Sequence, residues 1–148
     1  MGTAASSRDQ RFDLVSSRLL DAPPERVFGS FADPATLATW WGPKGFSETI
    51  ELFEFRVGGD WRHVLHGPDG TDYPNLATFT AIEAPHLVAF DHNSGKQFTL
   101  RFLPAAGGMT LFSLAMSFES AEAREAIRTL IEAANEENMD RLAASLGP

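Results

Sequence analysis

The chain has 148 residues, a formal net charge of -8 and no cysteine, which is the size of one domain and excludes a disulfide framework, a thiol nucleophile and thiolate metal sites. Its two lysines, Lys44 and Lys96, and its singly scattered arginines form no basic stripe, so a nucleic-acid partner is not expected. No stretch approaches the roughly 18 continuous apolar residues of a spanning helix, and the polar opening has no apolar leader, so membrane insertion is not expected and a cytoplasmic location is.

Residues 1–10 read as a flexible tail and 11–148 as a single domain. Residues 11–20 mix apolar and hydroxyl side chains as a strand does. Pro23 and Pro24 then open a short helix bearing Val27, Phe28 and Phe31, since a proline in a first turn forfeits no hydrogen bond. Asp33 is the expected N-cap of a second helix carrying Leu37, Trp40 and Trp41. Because the two tryptophans are adjacent on a helix they are expected to face different ways, one plugging the core and the other in a packing role, with a cavity mouth or partner surface as the alternative.

From Phe46 the period changes to two. Glu51, Phe53 and Phe55 share one parity up to the Gly58-Gly59 turn, and Trp61, His63 and Leu65 share one face of the return strand. Further strands carry Tyr73, Asn75, Ala77 and Phe79, then residues 86–92, then Phe98, Leu100 and Phe102, then Phe112, Leu114, Met116 and Phe118. Tight turns join them, as in an antiparallel meander with one buried face. Ser120 is the expected N-cap of a long amphipathic helix bearing Ile127, Leu130, Ile131, Met139 and Leu142, with Glu132, Glu136, Glu137 and Asp140 on its polar side. The order predicts an α+β fold in which the last helix covers a curved sheet.

Several strings in this order are similar to the SRPBCC superfamily, also called START-like or Bet v-like. They are Ala22-Pro23-Pro24-Glu25-Arg26-Val27-Phe28, Trp40-Trp41-Gly42-Pro43, Arg56-Val57-Gly58-Gly59-Asp60-Trp61-Arg62 and the run from His66 to Asn75. Within the superfamily the chain resembles the branch of homologues of an activator of a heat-shock-protein ATPase. The resemblance implies a helix-grip fold and a hydrophobic cavity for a small apolar molecule, but no shared catalytic motif. It also raises a chaperone ATPase as a partner, and a homodimer is compatible with it.

The expected ligand is a small hydrophobic or aromatic molecule held between sheet and last helix. The expected wall takes Trp41, Phe53, Phe55, Trp61, His63 and Tyr73 from the first half of the chain. Asn75, Phe79, Phe90, Phe98 and Leu100 continue it along the middle strands. Phe112, Leu114, Ile127, Leu130 and Ile131 complete it. Strand parity further places Glu51 and His63 on the pocket side of neighbouring strands, where a carboxylate could hold an imidazole as acid or base, assisted by Tyr73, Asn75 or His92. His63, His66, His86 and His92 lack helical ligand spacing, and His63 and His66 have opposite parity, so no metal or other cofactor is expected. No Gly-x-Ser-x-Gly elbow marks a serine hydrolase.

Overall fold

The structure is a computed structural model that describes residues 12–147; the expected tail lies outside the described residues. Seven strands form one antiparallel sheet: β1 (Leu14–Leu20), β2 (Ser47–Phe53), β3 (Asp60–His66), β4 (Asp72–Glu83), β5 (Leu87–His92), β6 (Gln97–Ala105) and β7 (Met109–Met116). Their spatial order is β1-β7-β6-β5-β4-β3-β2, so the last strand pairs with the first and β2 forms the far edge. Helices α1 (Pro24–Ala32) and α2 (Pro34–Trp40) carry the chain from one edge to the other, and α3 (Ala121–Leu146) follows the sheet. This is the helix-grip α+β arrangement.

The helix starts follow the capping chemistry. Asp33 accepts from the Ala35 N–H at 3.2 Å and from the Thr36 hydroxyl at 2.9 Å, and Ser120 accepts from the Ala123 N–H at 3.0 Å, each satisfying an N-terminal donor the helix cannot. α2 ends at Trp40, and Trp41 is already extended (φ -70°, ψ 131°). Helical geometry therefore does not force the tryptophans apart, and both are buried. Both therefore take packing roles, and the alternative of a partner surface falls away. The Trp40 indole donates to the Ser30 carbonyl at 3.0 Å.

The aromatics of α1 and the strands fill one end of the concavity. Phe31, fully buried, lies 5.5 Å from Trp61, 5.9 Å from Phe55, 6.3 Å from Phe53 and 6.3 Å from Phe79 between ring centroids. Such tilted and edge-to-face contacts add to the burial of the rings themselves. Phe53, Phe55, Phe79, Leu100 and Phe112 belong to this solid core, although the sequence placed them on a cavity wall. Cores pack close to crystal density, and aromatic side chains fill space before they enclose it.

The β2–β3 connection is tight. Glu54 N donates to Asp60 O and Gly59 N to Arg56 O, each at 2.8 Å, and a Cβ on Gly59 would lie 2.1 Å from the Glu54 carbonyl oxygen. Backbone on both sides of that clash leaves nothing flexible to move. Gly59→Ala is expected to cost about 3 kcal/mol or more, read from the midpoint of urea unfolding; an unchanged midpoint would contradict this account of the turn.

Candidate functional site

β2 pairs with β3 in a register that shifts midway: Glu48 faces Leu65 and Ile50 faces His63, whereas Leu52 faces Arg62 and Phe53 faces Trp61. Glu51 is the extra residue of a β-bulge, and an extra residue reverses the inward parity beyond it. Glu48, Ile50 and Phe53 consequently turn toward the core side, while Glu51 is exposed. The expected partnership of Glu51 with His63 is thus corrected. The carboxylate beside His63 is that of Glu48.

Glu48 Oε2 lies 2.6 Å from His63 Nδ1, with side-chain exposures of 0% and 2%. The approach is out of line with a ring N–H. Both Glu48 oxygens, His63 Nδ1 and the Trp61 indole nitrogen are therefore buried without a hydrogen bond of normal geometry. Trp61 stacks on the imidazole at 4.1 Å and 10°. Burial raises the Glu48 carboxyl above its ordinary range, with His63, then Arg141 and Trp61, pulling it back. A charged pair in such surroundings adds little stability over apolar residues of the same volume, and strained, poorly satisfied polar groups in a cavity wall are a mark of functional sites.

Beside the pair lies a cavity of about 280 Å³. His63, Trp41 and Trp61 line it together with Phe90, Phe98, Leu114 and Ile131, all expected wall positions, and with Leu65 and Met116. Its remaining polar lining is Asn75, His92, Asn135 and Asn138. Tyr73 is exposed at the start of β4, and Ile127 and Leu130 are exposed on α3; these three are not among the residues that line the cavity. The buried residues of α3 begin at Asn135; in its first half only Ala123 and Ile131 pack on the cluster of Leu14, Met116 and Phe118.

Most of the polar lining is already spoken for. Asn138 accepts from Gly42 N and donates to Trp40 O, each at 3.0 Å, while Arg141 donates to the carbonyls of Gly42 at 3.0 Å and Pro43 at 3.1 Å. These bonds clamp the loop bearing Trp41 onto α3. His92 Nδ1 accepts from Ser94, whose backbone N lies at 3.0 Å and hydroxyl at 2.8 Å, leaving Nε2–H to donate to Asn75 Oδ1. Asn75 in turn donates to Tyr73 O at 2.8 Å. That pattern describes a neutral ring, and burial, followed by the charge of His63, lowers the His92 pKa in the same sense. His66 lies outside the cavity, 2.7 Å from Asp72 and 2.8 Å from Thr49.

Besides the Trp61 indole N–H, buried without a partner, two cavity-lining residues keep spare hydrogen-bonding capacity. No described residue hydrogen-bonds His63 Nε2, and Asn135 spends its amide on Ser16 Oγ at 3.1 Å with no partner for its carbonyl oxygen. Asn135 and Asn138 were not anticipated. The available signal was their position on the apolar stripe of α3, between Ile131 and Met139 and Leu142. Among the described residues no group of three or more His, Asp or Glu side chains is placed to hold a metal, and no helix is long and apolar enough to cross a membrane.

Residues 21–147 match the family model described as activator of Hsp90 ATPase homolog 1-like protein. The chain belongs to this family. A solution structure of a protein from Arthrobacter aurescens is 29% identical over 94% of this chain and 88% of that one, with a TM-score of 0.81. A crystal structure of a Rhodobacter sphaeroides protein is 29% identical over 91% of both chains, also at 0.81. An AHSA1 protein from Silicibacter pomeroyi, at 21% identity, covers 90% of this chain and 96% of its own with a TM-score of 0.73, a likeness of fold. No curated protein matches the chain significantly. Family membership and the helix-grip fold agree with a ligand-binding type of domain, without specifying a ligand.

A carboxyl raised by burial makes folding weaker as pH rises, because the folded state holds its proton where the unfolded chain has released it. Relative to the wild type, Glu48→Gln is expected to gain stability as pH climbs above the ordinary glutamate range of about 4.3, with little difference below it. Urea unfolding of both proteins between about pH 4 and pH 8 checks the sign; a parallel pair of pH profiles would contradict it.

Proposed function

We propose that the chain binds one small, largely apolar aromatic molecule in the cavity between Trp41, Trp61 and α3, anchored by His63. The observation that carries this reading is an imidazole set in an apolar wall, backed on Nδ1 by a buried carboxylate, with no partner for Nε2 among the described residues. The cavity, about 280 Å³, stands at the lower edge of the roughly 300–1,000 Å³ of small-molecule pockets, and its tryptophans and phenylalanines offer faces and edges for a flat ring.

A second reading is supported by the same pair. A carboxylate that holds an imidazole on one nitrogen leaves the other to take or give a proton, the arrangement of a general acid–base. In this reading His63 and Glu48, in place of Glu51, act on the bound molecule. Product formation under steady-state conditions separates turnover from simple binding. Regulation of a chaperone ATPase is suggested by the family description alone.

Ile131 lies on α3 at the cavity and is partly exposed, so a larger ring there fills the space without cutting into the core. Native mass spectrometry of freshly purified protein is expected to show one bound small molecule per chain, and Ile131→Trp, with an unchanged melting temperature, is expected to lose it. A wild type that carries nothing and takes up no naphthalene at millimolar concentration would overturn the reading.

A further inference from the structure

The cavity's hydrogen-bonding inventory goes further than its shape, and the step rests on the binding role proposed above. Asn138, His92 and Asn75 have their cavity-side polar groups committed to protein partners. What remains among the described residues is His63 Nε2 and the carbonyl oxygen of Asn135, with the unpartnered indole N–H of Trp61 beside Glu48.

A neutral His63 carries one ring proton. With it on Nδ1, beside Glu48 Oε2 at 2.6 Å, Nε2 has a lone pair and accepts. With it on Nε2, and a second proton on the Glu48 carboxyl that faces Nδ1, Nε2–H donates. A hydroxyl matches both states, since its O–H donates to the first and its oxygen accepts from the second. An ether or ketone oxygen matches one of them, and a hydrocarbon matches neither. Asn135 Oδ1 accepts in either case and so also calls for a donor on the ligand. Leaving such buried groups unpaired is what makes a polar pocket reject an analogue that lacks the matching group.

We infer that the molecule this cavity takes is a hydroxylated aromatic, a flat apolar ring system whose hydroxyl meets His63 Nε2. The rings lie among Trp41, Trp61, Phe90 and Phe98, and the hydroxyl supplies the partner that the Glu48–His63 pair lacks. No covalent bond is made or broken in this step.

The test titrates the full chain with 1-naphthol, 1-methylnaphthalene and naphthalene by calorimetry. The first two differ by a hydroxyl in place of a methyl of similar size. 1-Naphthol is expected to bind about tenfold more tightly than 1-methylnaphthalene, and His63→Phe is expected to remove that preference while still binding all three. In the wild type, the imidazole ¹⁵N resonance of His63 Nε2 is expected to move on adding 1-naphthol and to stay in place with naphthalene, which keeps the test independent of whether the variant folds. Equal affinities for the two isosteres, a preference that survives His63→Phe, or a motionless Nε2 resonance would each overturn the inference and leave the cavity reading standing. Failure of all three probes to bind would overturn both.

Discussion

One residue too many in β2 decides where the chemistry of this molecule can lie. Ile50 and Phe53 both pack on the core, yet they stand three positions apart, and a regular strand sends residues of odd separation to opposite faces. Burying a large apolar side chain is worth about 1.5–3 kcal/mol, more than the few ladder contacts a bulge gives up. The strand therefore takes Glu51 out of register, and both apolar residues turn inward. Glu48 shares the inward parity of Ile50 and is carried to His63, where burial raises its pKa and an ion pair contributes little. The acid–base pair is thus positioned by the packing of its apolar neighbours.

The second half of α3 does the complementary work on the other wall. Asn138 and Arg141 hold the loop after α2 by its backbone, and Glu137 accepts from Lys44 N at 3.2 Å. On the opposite side Arg18 of β1 reaches Glu136 and Asp140, each at 2.6 Å. The helix is therefore tied at both flanks along one stretch, where it meets the sheet, while Leu130 in its first half stays exposed. Trp41 and Ile131 line the same cavity from the two sides of this junction. Space between sheet and helix persists because the aromatic cluster around Phe31 fills one end of the concavity and the clamp fixes the other wall at a distance.

These two devices also explain what could be read from the residues alone. Element order, caps and strand parity follow from local rules, so the antiparallel meander, the two short helices and the long terminal helix were legible, as were His63, Trp41, Trp61, Phe90, Phe98, Leu114 and Ile131 as cavity wall. The bulge was not, since Ile50, Glu51 and Leu52 include no glycine or proline to mark it, and parity counted back from Phe53 then lands on Glu51. Which aromatics fill and which enclose depends on long-range packing about Phe31, and no local pattern separates Phe79 from Phe90. The apolar spacing of α3 includes Ile127 and Leu130, which are exposed, and a helix stripe carries no record of which of its residues meet the sheet.

The central claim is that the carboxylate governing His63 is Glu48, delivered by the bulge, and its most direct test is the ¹⁵N spectrum of the His63 imidazole in two single variants. Glu48→Gln is expected to shift the Nδ1 resonance markedly, and Glu51→Gln to leave it where it is in the wild type. A shift in Glu51→Gln with none in Glu48→Gln would mean that β2 runs without the bulge, and the site as built here would be wrong.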